Sequence, residues 1–341
     1  MVNELEIKKQ ICEVGKRIYG RNMVAANDGN ISVKLNDHEF LCTPTGVSKG
    51  FMTPEFICKV DENGNIIQDV IKASHGLEGP KELIRDTIFE CLDEIKDIDK
   101  CEGIGIGAPG AIDPVKRAMT ISTNLVGFKD YPIADLIQEK YKIPCFIDND
   151  ANVAGLAESL VGAGKGSSIV YYLTHSTGIG GALIIDGKII TGKLGYAGEV
   201  ANIIIDRNRE KVNYLNVGAV ENEASGTAIG RKAKKIFNDE EMSASKVFKL
   251  AEEGNKDAIK IIDDMAKDFA QLLATIAHIV DPHCFVIGGG VSHSSDQYFD
   301  LVIDYYKKHA HGCMAEVPIL KATLAEPGVL GAAMIARSHC E

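Results

Sequence analysis

The 341-residue chain has no tryptophan, no cysteine pair spaced CxxC and no long apolar run. The missing tryptophan excludes nothing. The missing run argues against a membrane-spanning helix, which needs about 20 consecutive apolar residues. Nine cysteines are scattered, at Cys12, Cys42, Cys58, Cys91, Cys101, Cys145, Cys284, Cys313 and Cys340. Most sit in apolar surroundings, and they predict reduced core thiols rather than a disulfide frame or zinc cage. Basic charge is also short: 37 Lys and Arg face 48 Asp and Glu, leaving a net charge of −11. That argues against a nucleic-acid partner. Met1 to Arg17 is charged and helical in pattern, unlike a signal peptide, so a cytosolic protein is expected. The length allows about two to three domains.

The most informative stretch is Phe146-Ile147-Asp148-Asn149-Asp150-Ala151-Asn152. An apolar run, Ile143 to Ile147, carries into polar residues, and a small-residue helix follows. This predicts a strand whose carboxyl end delivers side chains to a crevice, where open α/β sheets bind ligands. Asp150 is placed to act as a general base, and Asn149 to hold the hydroxyl it deprotonates. Alternatively, Asp148 and Asp150 cap the helix.

Towards the N-terminus, apolar residues at helical spacing predict an amphipathic helix over 4–20. A turn, Asn27 to Asn30, leads into a strand, and Phe40 to Thr43 is a second. Thr43-Pro44-Thr45-Gly46 offers hydroxyls and backbone amides suited to a phosphate; a plain polar turn is the other reading. Residues 5–67 resemble the beginning of a class II aldolase, through Gly29-Asn30-Ile31-Ser32, Thr43 to Gly50 and Thr53-Pro54-Glu55. The resemblance implies phosphate-binding ancestry for Asn30, Thr45 and Gly46. That family's catalytic acid and zinc-binding histidines should follow residue 67. Instead His75 stands alone, and the next histidine is His175. Zinc needs three or more converging ligands, so aldol cleavage by this chain alone is not expected.

Residues 68–80 read as a junction, and apolar positions from Leu83 to Ile95 as a helix. Ile104 to Ile106 is a predicted strand ending in Gly107-Ala108-Pro109-Gly110, and a helix is predicted over 133–140. Another strand, Ile169 to Leu173, ends in Ser176-Thr177-Gly178-Ile179-Gly180-Gly181. Its return run reaches Asp186-Gly187, a type I′ hairpin signal. Such a glycine turn can cradle a nucleotide phosphate through backbone N–H groups. Glu199 and Glu221 stand in glycine- and serine-punctuated loops, each able to accept a sugar hydroxyl or to lie solvated. Residues 227–237 and 256–279 read as helices. Val280 to Ile287 reads as a strand broken by Asp281-Pro282, followed by Gly288-Gly289-Gly290. Leu324, Gly328, Gly331, Ala332 and Ala333 predict a small-residue helix. Alternating strands and helices give an α/β class.

These ordered motifs make residues 80–341 similar to the ROK family of sugar kinases and related repressors, of the actin-like ATPase superfamily. The resemblance implies a two-lobe actin-like (ribonuclease H-like) α/β fold behind a partial class II aldolase-like segment. It implies three parts: 1–67, a small lobe over 68–163 to which residues 326–341 return, and a large lobe over 164–325. Asp150 would be the base for a sugar hydroxyl. Gly110, Asn124, Asn149, Glu199, Asn202 and Glu221 would line the sugar pocket. Ser176, Thr177, Gly178 and Gly180 would meet the phosphates of ATP with Mg²⁺, and Gly288 and Gly289 its adenosine. A homodimer, without nucleic acid or membrane, is the implied assembly.

Two departures stand out. The family's opening hairpin, ending in DxGGT, is missing, and the aldolase-like segment occupies its place. Loss of that phosphate loop leaves catalytic competence open. The family's zinc ligands are also missing. Val212, Tyr214 and Ala219 stand at the cysteine positions, and Asn202 where histidine would touch the sugar. No structural zinc is expected, and packing around Tyr214 and Val212 is expected to replace it. Zinc-free members that resemble this chain include some bacterial N-acetylmannosamine kinases, which makes that sugar the first expectation, with glucose beside it. A non-catalytic sugar sensor and an aldolase- or epimerase-like sugar-phosphate protein are the alternatives.

Overall fold

Helical spacing of apolar residues at the start of the chain becomes helix α1, Glu4–Gly20, which buries Ile11 and Cys12. The computed structural model describes residues 4–20, 32–34, 39–42, 54, 58–61, 66–68, 80–93, 95, 98–120 and 129–340. Two units are distinguished: Met1–Lys96 with Ser122–Tyr131, and Asp97–Ile121 with Pro132–Glu341.

In the first unit, strands β1 (Ser32–Lys34), β2 (Glu39–Cys42), β3 (Cys58–Asp61) and β4 (Ile66–Gln68) form an antiparallel sheet in chain order. Antiparallel neighbours need no long crossover, so strands consecutive in the chain can pair side by side. Helix α2, Pro80–Asp93, begins at a proline, where the missing N–H costs nothing. Asn30, Thr45 and Gly46 lie outside the described residues; of the junction expected over 68–80, Gln68 ends β4, Pro80 starts α2, and residues 69–79 lie outside the described residues.

The second unit opens with β5 (Ile104–Ala108), the β6 (Ile112–Asp113) and β7 (Ala118–Met119) pair, and α3 (Ile133–Tyr141). Strand β8 (Cys145–Asn149) runs parallel to β5, with Ala108 opposite Asn149, and passes directly into α4 (Asp150–Leu160). A five-stranded sheet follows. Its strands are β9 (Ile169–His175), β10 (Ile179–Ile185), β11 (Lys188–Ile189), β12 (Cys284–Gly288) and β13 (Ile319–Lys321), in the order β11-β10-β9-β12-β13. Between β11 and β12 lie α5 (Val220–Ala224), α6 (Gly226–Phe237), α7 (Ala244–Glu252) and α8 (Lys256–Val280). Helix α9 (Phe299–His309) precedes β13, and α10 (Pro327–Cys340) follows it.

Strand alternation sends neighbouring side chains to opposite faces. Tyr171, Leu173, Phe285 and Ile287 face a core with Phe269 and Leu272 of α8. Val170, Tyr172, Cys284 and Val286 face a second core with Val153 and Leu156 of α4 and Ile335 of α10. Each fully buried aliphatic or aromatic side chain contributes about 1.5–3 kcal/mol. Asp186 and Gly187 take φ of 49° and 71°, the type I′ turn joining β10 to β11. Glycine also brings α10 close: a Cβ at Gly331 would overlap the Val153 carbonyl, and one at Gly105 the Ala332 carbonyl.

Two expectations are corrected. Val280 ends α8 rather than starting a strand; Asp281 caps that helix with φ 49°, and β12 begins only at Cys284. By periodicity alone a short apolar run fits either element. Leu324 lies ahead of α10, which starts at Pro327. Among the described residues, no helix is long and apolar enough to cross a membrane.

Candidate active site

Where β8 becomes α4, three consecutive polar side chains take different tasks. Asn149 is the helix cap: its Oδ1 accepts the N–H groups of Ala151 (2.8 Å) and Asn152 (3.1 Å). Its Nδ2 donates to the Gly110 carbonyl at 3.0 Å, tying the loop after β5 to the end of β8. Asp148 Oδ1 accepts the Asn149 N–H and the Asn152 amide, both at 2.7 Å. Capping thus falls to Asn149, with Asp148 supporting it through Asn152.

Asp150 is the first residue of α4 and accepts the Ala151 N–H at 2.8 Å. The residue as a whole is exposed, yet protein crowds its carboxyl group. That crowding raises its pKa, against the lowering pull of the Ala151 and Asp150 N–H groups and the Asn149 side chain. A carboxylate with raised pKa is a better proton acceptor.

Glu199 lies within electrostatic reach of Asp150. Gly198, with φ 90°, leaves no room for a Cβ beside the Leu183 N–H, and its carbonyl accepts the Tyr171 hydroxyl at 2.9 Å. Burial, then the charges of Asp150 and Glu221, pushes the Glu199 carboxyl up to about 7. Glu221, on α5, accepts the Ile179 N–H through Oε2 at 3.0 Å. Three acids thus face one region.

Asn202 is exposed, and its Oδ1 accepts the Asn216 N–H at 2.7 Å. Gly110, with φ 83°, sits at the end of β5's loop. Asn124 lies outside the described residues.

The loop between Asp206 and Gly218 corrects the packing expectation. Tyr214 is 76% exposed and Val212 36% exposed, so neither forms a core. Polar groups hold the loop instead. Arg209 pairs with Asp206 (2.8 Å), Asp268 of α8 (3.0 Å) and Glu223 of α5 (3.4 Å). Lys232 adds a second cation, 3.1 Å from Glu223. Asn213 Oδ1 accepts from the Leu215 N–H and the Asn222 amide. Among the described residues, no group of three or more His, Cys, Asp or Glu side chains is placed to hold a metal ion.

Three glycine or serine turns meet beside this acidic region. In the Ser176–Gly178 turn, the Ser176 N–H donates to Gly178 and the Ile179 N–H to Glu221. Between them, the N–H groups of Thr177 and Gly178 have no hydrogen bond among the described residues. A Cβ on Gly180 would crowd the Thr174 methyl at 3.0 Å and the Ala151 methyl at 3.4 Å. The second turn, Ser225-Gly226, starts α6; its Gly226 N–H donates to Ser176 O at 2.8 Å. At the third, Gly289 takes φ 90°, and a Cβ there would lie 2.6 Å from His175 O. A Cβ on Gly288 would lie 2.5 Å from the Tyr172 hydroxyl. Bare backbone with two unused N–H groups fits a phosphate chain.

Sequence reasoning passed over Arg209 and the buried His175, because their partners are remote in the chain. Asn152 stands inside the Asn149-Asp150-Ala151-Asn152 motif, but its amide link to Asp148 has no sequence signal.

Residues 47–339 match the ROK family model, and residues 9–81 match the class II aldolase and adducin N-terminal domain. The two matches share residues 47–81. A glucokinase of Thermotoga maritima is 29% identical over 297 residues, covering 82% of this chain and 93% of that protein. An N-acetylmannosamine kinase of Yersinia pestis is 31% identical, covering 69% and 79%. The solved ROK family glucokinase of Streptomyces griseus, in complex with glucose and AMPPNP, superposes with a TM-score of 0.65. It is 25% identical, with 91% of this chain and 100% of that one covered.

Proposed function

The chain belongs to the ROK family, with the actin-like ATPase fold of its solved members, and from that premise we propose an ATP-dependent kinase of a hexose or N-acetylhexosamine. N-acetylmannosamine is the first candidate and glucose the second, after the activities of the two relatives. The observation that carries the reading is Asp150. Its carboxylate opens from the end of β8, near two further acids and a glycine turn with unused N–H groups.

Asp150 takes the proton from the sugar hydroxyl that becomes the nucleophile. Glu199, Glu221 and Asn202 orient the other hydroxyls by hydrogen bonds, and Asn149 holds the Asp150 backbone in register. Thr177 and Gly178 donate backbone N–H groups to the phosphates, with Ser176 and Gly180 shaping that turn; Gly288 and Gly289 offer flat backbone to the adenosine. Bound Mg²⁺–ATP supplies the phosphoryl group and neutralises its developing charge.

The reading includes a cytosolic homodimer without structural zinc, and the three-part division at residues 67, 163 and 325. It also includes a kcat lowered by the missing DxGGT loop, with sugar binding retained.

The test is ADP release with ATP, Mg²⁺ and a hexose panel. Turnover that falls by about 10²–10⁴ in Asp150→Asn supports general-base catalysis. Sugar binding by calorimetry with no turnover for any hexose replaces the kinase with a sensor. Phosphate-ester binding abolished by changing Thr45 and Gly46 moves the activity to the N-terminal segment.

A further inference from the structure

His175 is the last residue of β9, immediately before the Ser176–Gly178 turn, and is fully buried. Its ring stacks on Phe269 of α8, with centroids 4.5 Å apart and planes 11° from parallel. Nε2 lies 2.8 Å from the Ala224 carbonyl oxygen, and Nδ1 lies 3.1 Å from the Tyr298 hydroxyl. A carbonyl only accepts, so Nε2 carries the proton. Nδ1 then accepts the Tyr298 O–H. Burial pushes the pKa down to about 4, which keeps the ring neutral and in this one tautomer at neutral pH.

Each contact reaches an element that carries a different turn. Ala224 precedes Ser225, whose hydroxyl caps α6 and whose neighbour Gly226 donates to Ser176 O. Tyr298 closes the 3-10 helix that starts at Gly290. The His175 backbone abuts Gly289 so closely that no side chain fits there. Through its ring at Ala224 and Tyr298 and through its own backbone at Gly289, His175 therefore adjoins the elements that carry all three turns.

We propose that His175 is a positioning residue for nucleotide binding: its ring fixes the spacing of the Ser176–Gly178, Ser225–Gly226 and Gly288–Gly290 turns without touching the ligand. The inference rests on the kinase reading and adds to it a residue outside the ligand-contacting set. A core histidine with no such role would affect stability alone.

Calorimetry with AMPPNP and Mg²⁺, on the full chain, tests it. His175→Phe keeps the stack on Phe269 and loses both polar contacts. It binds AMPPNP about tenfold more weakly, and the KM for ATP rises in step while the KM for sugar does not move. His175→Gln, whose amide nitrogen still reaches the Ala224 carbonyl, recovers most of the affinity. Should His175→Phe not fold, His175→Asn replaces it, since its shorter amide reaches Tyr298 but not Ala224. His175→Gln then binds AMPPNP more tightly than His175→Asn. Equal affinities across folded variants, or both KM values rising together, overturn the positioning role. A wild type that binds no AMPPNP overturns the kinase reading and this inference with it; a wild type that binds it, beside unchanged variants, overturns this inference alone.

Discussion

Glu221 Oε2 accepts the Ile179 N–H at 3.0 Å, and the same oxygen lies 2.5 Å from where a Cβ on Gly178 would stand. One carboxylate therefore borders the proposed sugar pocket and pins the proposed phosphate turn. Gly178→Ala pushes the Glu221 carboxylate aside, because the far end of a side chain yields before backbone does. The expected result is a fall of about 10²-fold in kcat/KM, the scale of an ångström-size misplacement, with both substrates' KM values raised. A change confined to ATP would sever the link between the two halves of the site. Steady-state kinetics with each substrate varied in turn gives the answer.

Asn149 can be separated into its two jobs. Asn149→Ala loses the cap, about 1 kcal/mol, and the bond to Gly110, about another 1 kcal/mol. Asn149→Ser keeps a capping oxygen and loses only the bond to Gly110. Urea denaturation is therefore expected to rank wild type above Ser, and Ser above Ala. Equal losses in both variants would show that capping contributes nothing.

Glu199 sets a pH signature. Its carboxyl titrates at about 7 in the fold against an ordinary 4.5. Because the folded value is the higher one, its contribution favours folding at low pH and is lost as pH rises from 4.5 through 7. Glu199→Gln removes that cost of burying charge. The variant melts higher than wild type near about pH 8 and level with it near about pH 4.5, while its KM for sugar rises. A melting difference that does not grow with pH would contradict the electrostatic account.

Arg209 gives the contrast with metal stabilisation. Removing it leaves Glu223 and Asp268, both buried, with Lys232 as their remaining ion-pair partner among the described residues. Arg209→Met is expected to cost about 2 kcal/mol, less than breaking a fully buried pair, because Arg209 is itself partly exposed. Prolonged treatment with EDTA leaves the wild-type melting temperature unchanged. A chelator-sensitive melt would reveal a metal in place of the ionic network.

The strand-to-helix transition at residues 148–152 was legible because it depends on neighbours: an apolar run, a polar cluster and a small-residue helix. The glycine turns at 176–181 and 288–290 were legible for the same reason, since bare backbone has its signal in the residue itself. What held the 206–218 loop was not. Tyr214 looked like packing material, yet the loop depends on Arg209 meeting Asp268 of a distant helix. Local pattern carries no information about that pairing. His175 was passed over likewise: its partners Ala224 and Tyr298 lie 49 and 123 residues away. Val280 misled because tertiary packing carries α8 through its β-branched last residue, against local strand preference, to the cap at Asp281.

The helix at residues 327–340 lies against the Val153 backbone and the Gly105 strand, and this has a consequence for biosynthesis. The segment bearing Asp150 leaves the ribosome well before the helix that covers it is made. Until then its apolar flank has no native cover, a species prone to wrong association. Chaperone demand during translation, and sensitivity of yield to substitutions such as Gly331→Leu, follow from that order of synthesis.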